Sequence, residues 1–343
     1  MSKNIFAIAF SWHIDRRVPK VLSILLLITI SMVVIAILKG EYAIPPLEAF
    51  KTAFGLDRSN RDYTFVIHTL RLPRTVVAYL VGVGLAISGT ILQGLTRNSL
   101  ADPSIVGIDA GASLAAVTLI VIFPGVPLFV LPLSAFVGAL TVALVIYLFA
   151  WKQGSSPLRF ILIGIGLAAI ASALTSLMLA FGAIQDVSQA LIWLTGSVSS
   201  RSWEYVWLLL PWLVVLVPLS LGLAIELNAL NLGDDIARGL GSLVDHQRGL
   251  LLLLSVALAA VSVAAAGTVS FVGLIAPHLG RQLVGPLHQG LIPTAGAIGG
   301  LIVVIADLLG RTLFAPIELP CGLITAAVGA PYFLYLLIQN RKR

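Results

Sequence analysis

Charge is what this sequence lacks most. Only 10% of its 343 residues are Asp, Glu, Lys or Arg, against roughly a quarter in a soluble globular protein. A chain so poor in charge cannot cover itself with a water-facing surface, which excludes an ordinary soluble fold. Cysteine is almost missing as well. The single Cys321 rules out an internal disulfide and a cysteine-cluster metal site, and its place inside an apolar run reads as packing. The five histidines, His13, His68, His246, His278 and His288, include no pair three or four residues apart, which argues against a metal site. None of the six lysines follows a glycine, so no phosphate loop ends in Gly-Lys-Ser/Thr and the chain does not hydrolyse ATP by that route. A Gly-x-Ser-x-Gly elbow is absent too. No catalytic residue, metal or cofactor is expected, and an enzyme is a poor reading.

What is there is hydrophobicity: 59% of residues are hydrophobic and the mean hydropathy is +1.04. Apolar runs recur near 21–38, 75–92, 105–123, 126–151, 160–183, 203–225, 249–266, 268–284, 291–309 and 320–338. A span needs about 20 residues, so these runs predict ten crossings of an all-α integral membrane protein. The run at 268–284 is short and interrupted by Pro277. Residues 1–343 read as a single transmembrane domain whose even number of crossings puts both ends on one side. The first run is too long for a signal-peptide core and reads as a retained anchor.

Lys and Arg in short loops decide orientation, because they are retained on the cytoplasmic side. With residues 1–20 cytoplasmic, the inner side holds Lys3, Arg16, Arg17, Lys20, Arg97, Lys152, Arg159, Arg238, Arg248, Arg281, Arg341, Lys342 and Arg343. The outer side holds Lys39, Lys51, Arg58, Arg61, Arg71, Arg74, Arg201 and Arg311. The larger inner set favours this orientation, with both termini cytoplasmic. The acids divide almost evenly, so the formal net charge of +6 lies on the inner face and implies nothing about nucleic acid.

Two outer arginines, Arg71 and Arg74, stand directly before a run of membrane length. They read either as headgroup anchors or as a docking point for an acidic partner, since Arg pairs bidentately with carboxylates. Arg311 offers a third guanidinium that could join the same patch. Residues 40–70 form an outer loop with a short helix expected from Pro46 to Phe54, and 185–203 is amphipathic and expected along the outer surface. The inner loop 226–249 contains Asp234 and Asp235, which suit a helix N-terminus, and Gly241, which suits its stop. A helix of two turns is marginal alone. It either folds back on the bundle or couples to a cytoplasmic partner, with Ile236, Leu240 and Arg238 on a mixed exposed face.

Small residues recur at spacing four, as in Gly82 and Ala86, Gly84 and Ser88, Gly107 and Gly111, and Gly296 and Gly300, a spacing that lets helices approach closely in lipid. Asp109, His278, Arg281 and Asp307 are ionisable groups near or inside spans. A proton-coupled secondary transporter using Asp109 or Asp307 is therefore the rival reading. Both acids are placed near run ends, where water is expected to reach them.

RLPR at 71–74, SGTILQ at 88–93 and RNSLADPSIVGIDAGAS at 97–113 closely resemble the signature of the FecCD-type permease subunits of type II ABC importers for iron-siderophores, haem and cobalamin. The resemblance continues through LIWLTGSVSSRSW at 191–203, LGDDIARGLG at 232–241, VSFVGLIAPHLGR at 269–281, ADLLGR at 306–311 and ELPCGLITAAVGAP at 318–331. Ser99 departs from it, a proline being usual after the asparagine, and Asp109 stands where an asparagine or small residue is common. The resemblance implies ten helices per subunit in the inner membrane and a second permease, identical or homologous, beside this one. It also implies two ATP-binding subunits below and an extracytoplasmic binding protein that delivers the ligand. In that scheme Arg71, Arg74 and Arg311 pair with glutamates of the binding protein. Asp234, Asp235, Ala237, Arg238, Leu240 and Gly241 belong to the segment that enters a groove of the ATPase. Helices beginning at Phe160 and Pro320 are expected to line the path. Ferric siderophore is the first expectation for the ligand, with haem and cobalamin as alternatives.

Overall fold

Backbone in hydrocarbon has no water to bond, so each apolar run must close its hydrogen bonds within itself. In the computed structural model, which describes residues 15–40, 42–56, 60–104, 107–123, 125–126, 130–150 and 157–340, each of the ten runs contains a helix and no strand occurs among the described residues. The expectations for residues 1–14, 341–343, Arg58 and Lys152 lie outside the described residues.

In chain order the helices are α1 (Arg17–Leu38), α2 (Pro46–Ala53) and α3 (Arg61–Phe65), the last continuing through a π-helical turn, Val66–Arg71, into α4 (Leu72–Thr96). Then come α5 (Ile108–Ile122), α6 (Val130–Ala150), α7 (Pro157–Phe181), α8 (Ile184–Leu194), α9 (Trp203–Gly222), α10 (Ala224–Leu232) and α11 (Asp234–Gly239). The last four are α12 (Val244–Ala266), α13 (Val272–Val284), α14 (His288–Thr312) and α15 (Cys321–Asn340).

Eight of the ten expected spans are long and apolar enough to cross a membrane. The other two, α5 with 15 residues and α13 with 13, are shorter. At ~1.5 Å per residue they cover about 22 and 20 Å, against about 30 Å of hydrocarbon. Each is led in by non-helical backbone, which is tolerated at depth only inside protein. Ala101, Asp102 and Pro103 before α5 are accordingly buried. Before α13, the turn at Gly267 and Phe271, both at positive φ, is stitched to the end of α8 by Thr268 Oγ1 donating to the Leu194 carbonyl. Ser197 N–H donates to Ala266 O at 2.7 Å and Gly322 N–H to Gly196 O at 3.0 Å, which ties the head of α15 into the same knot.

The centre of the bundle is α4, packed against α14, α12 and α13. Its small residues are what allow this. A Cβ on Gly82 would strike the backbone of Gly299 in α14, and one on Gly89 the backbone of Gly273 in α13. Ser88 and Ser255 of α12 clasp each other, each hydroxyl donating to the other's carbonyl at 2.6 and 2.9 Å. Gly111 of α5 meets Gly138 of α6 in the same way. Packing of this kind replaces the hydrophobic drive that lipid does not supply. By contrast, the apolar windows of α7 and α15 are only 17% and 28% buried, leaving both helices with largely unpartnered faces.

Candidate functional site

The two ends of α4 organise two polar sites. Its 25 residues separate them by roughly 37 Å at ~1.5 Å per residue.

At the first end, Arg71, Arg74 and Arg311 come together, as their placement at span ends suggested. They are not, however, open docking points. Arg71 is 5% and Arg311 4% exposed. Arg71 Nη1 donates to Ile37 O at 2.7 Å and Leu38 O at 3.3 Å, its Nη2 donates to Tyr42 O, and Arg311 Nη2 donates to Ala36 O. The last carbonyls of α1 have no partner within their own helix, and α1 has no basic residue in its last turn to supply one. These two arginines serve as its C-terminal cap, a role considered neither by headgroup anchoring nor by docking.

Arg74 is held by two carboxylates. Its Nε and Nη2 lie 2.9 and 2.8 Å from Asp307 Oδ1, and its Nη1 donates to both oxygens of Glu318 at 3.0 Å. Asp307 also faces Arg311 Nε at 3.6 Å, one helical turn away on α14. Ser199 Oγ donates to Glu318 Oε2 at 2.9 Å. Partial burial works to raise the Glu318 carboxyl, but the hydrogen bonds and charge of Arg74 outweigh it and hold the group below its ordinary range. A cavity of 170 Å³ opens beside this cluster, lined by Gly40, Tyr42, Val66, Leu70, the three arginines and Glu318.

Two sequence expectations change here. Asp307 is not reached by water at a run end; it is 4% exposed and locked between two guanidiniums. Asp109, likewise expected near water, is buried at the start of α5, with Oδ1 unpartnered. Glu318 was missed altogether. Its signal was the near-equal number of acids and bases on the proposed outer side, which calls for pairing.

At the opposite end, α11 is a six-residue helix bracketed by glycines in conformations that side chains resist, Gly233 at φ +126° and Gly241 at φ +86°. Asp234 receives Arg248 Nη2 at 2.7 Å and is also paired with Arg97, the residue that closes α4. Slight burial works to raise the Asp234 carboxyl, but Arg248 and then Arg97 outweigh it and hold it below the ordinary carboxylate range. Ala237 is fully buried against the bundle, and Ser242 Oγ donates to Glu226 at 2.7 Å. Asp235 and Arg238 point away, 3.8 Å apart and exposed. Ile236, Leu240 and Leu243 are 53%, 68% and 71% exposed. The segment both folds back on the bundle, through Asp234 and Ala237, and leaves an apolar face open.

The chain matches the model of the FecCD transport family over residues 25–339. This chain belongs to that family. It is 42% identical over 326 residues to the iron(3+)-hydroxamate import system permease protein FhuG of Bacillus subtilis, covering 93% of this chain and 96% of the relative. The Fe(3+)-citrate import system permease protein YfmE of the same organism is 45% identical over 322 residues, covering 93% and 95%. The cobalamin import system permease protein BtuC of Halobacterium salinarum is 40% identical over 279 residues, covering 81% and 74%. Among solved structures, an inward-facing metal-chelate type ABC transporter superposes with a TM-score of 0.84 at 33% identity, covering 94% of this chain and 99% of the other. The family's all-helical permease fold, with about ten membrane helices, is thus the fold of this chain.

Proposed function

We propose that this FecCD-family chain is the membrane permease of a binding-protein-dependent ABC importer, carrying a ferric chelate of the siderophore class inward across the cell membrane. The observation that carries the reading is the family match across residues 25–339, among relatives whose cargoes are ferric hydroxamate and ferric citrate.

In this reading the arginine end faces outward and receives the loaded binding protein, and α11 lies in the cytosol against an ATP-binding subunit. The separation of the two sites along α4 supports assigning them to opposite faces. A second permease, identical or homologous, covers the open faces of α7 and α15, and the ligand passes between the two. A wall rich in Gly, Ala, Ser, Thr and Leu offers a large chelate few strong contacts, so it slips through rather than binding tightly. ATP binding and hydrolysis in the partner push α11. That helix is tied by Asp234 to Arg97 at the end of α4 and to Arg248 near the start of α12, so force on it reaches the two best-buried helices of the bundle. The packed core has discrete arrangements rather than a continuum, and the push converts one access state into the other.

Proton coupling finds little support at Asp307, whose charge is matched by two arginines. Proteoliposomes holding the permease and ATPase subunits, given radio-iron ferric hydroxamate on the loaded binding protein, test the proposal. Uptake should require ATP and survive collapse of the proton gradient; uptake that needs only the gradient would overturn it. Radiolabelled cobalamin in the same assay tests the second cargo, which the archaeal relative favours.

A further inference from the structure

The guanidinium of Arg74 has no edge left for another bidentate carboxylate. Nε and Nη2 hold Asp307, and Nη1 holds both oxygens of Glu318. A partner's carboxylate approaching this end meets a site that is already full.

The two resident carboxylates are not equivalent. The side chain of Asp307 is 4% exposed, within the last turns of α14, and shared with Arg311. That of Glu318 is 31% exposed, lines the 170 Å³ cavity and belongs to the non-helical link between α14 and α15. The other two guanidiniums are already committed. Arg71 and Arg311 donate to the carbonyls that end α1, and a Cβ on Gly40 would come within 2.7 Å of Arg71 Nη2. Three guanidiniums against two carboxylates leave the cluster one positive charge in excess, which draws in an anion.

We propose that this cavity takes one carboxylate side chain of the docking protein by exchange: the incoming group replaces Glu318 on Arg74 while Asp307 stays. The proposal rests on docking at this end of the bundle. It adds a consequence for the fold. Glu318 is anchored to Ser199 at 2.9 Å, its neighbour Leu319 N–H donates to Gly310 O at 2.9 Å, and three residues later α15 is under way. Displacing Glu318 loosens the side-chain tether just ahead of α15, whose apolar window is only 28% buried, so arrival of the partner is felt at the head of that helix while the backbone bonds of Leu319 and Gly322 stay in place.

Glu318→Gln keeps the side chain's shape and removes the charge that competes for Arg74. With the permease in nanodiscs and the loaded binding protein as probe, docking should tighten about fivefold, the value of a partly exposed ion pair, and its salt dependence should steepen. Ser199→Ala, which removes only the hydroxyl on Glu318 Oε2, should move docking the same way by about twofold. Unchanged or weaker docking in both variants overturns the exchange. The wild type separates the two layers: docking insensitive to salt removes the docking role itself, whereas salt-sensitive docking that neither variant improves removes only the exchange.

Discussion

Replacing Asp307 by Asn tests the arginine end most sharply. The change preserves shape but takes a buried negative charge from between Arg74 at 2.8 Å and Arg311 at 3.6 Å. Breaking one partner out of a buried ion pair costs about 3–5 kcal/mol, because the remaining charge stays buried without compensation. Glu318 still neutralises part of Arg74, so the lower half of that range applies. At about 2–4 °C per kcal/mol for chains of this order of size, the melting temperature should fall by roughly 6–16 °C. The intrinsic fluorescence of the six tryptophans follows the transition in detergent. Glu318→Gln is the internal control. Its pair is 31% exposed on the carboxylate side and is worth no more than about 1 kcal/mol. The double variant Arg74→Gln with Asp307→Asn should lose less than the sum of its parts, since an unpaired charge is removed with its partner. The reasoning is refuted if Asp307→Asn melts like the wild type, or if Glu318→Gln melts lower than Asp307→Asn.

Other consequences follow from packing and from α11. Gly82→Leu drives a side chain into the backbone of Gly299; overpacking of at least about 3 kcal/mol should abolish folded protein in membranes, measured as the monodisperse fraction after extraction. Leu240 is 68% exposed, so Leu240→Asp should leave stability within about 0.5 kcal/mol while ATPase stimulation and uptake are lost. The Asp234 carboxyl is depressed in the folded state, so its contribution is present above its unfolded value and disappears as pH falls through the folded one, below about pH 4. Asp234→Asn should therefore melt lower than the wild type at neutral pH, with the difference closing on that acid limb.

The ten helices were legible because lipid forces a backbone to bond within its own run, so hydropathy alone marks each one. The α11 segment was legible for a local reason: two acids at one end and a glycine at the other are short-range signals, and Gly241 at φ +86° follows the end of the helix, although Asp234 also reaches Arg97 and Arg248. What stayed hidden is non-local. Arg74 and Glu318 are 244 positions apart, and Arg311 caps a helix that ended 273 residues earlier; no periodicity reports such contacts. The shortness of α13 was hidden too, since the apolar run at 268–284 begins with residues that are not helical. The small-residue spacing correctly singled out Gly82 and Gly84 but could not say that their partners are Gly299 and Ser262.

Sidedness is the claim on which docking, coupling and direction of transport all depend. With Cys321 replaced by alanine, Asp235→Cys and Arg61→Cys place thiols at two exposed positions, one on α11 and one at the start of the rod that leads to Arg71. An impermeant maleimide added to intact cells should label position 61 and reach position 235 only after the membrane is opened. Labelling of position 235 in intact cells, with position 61 protected until lysis, would contradict the orientation and every role assigned from it.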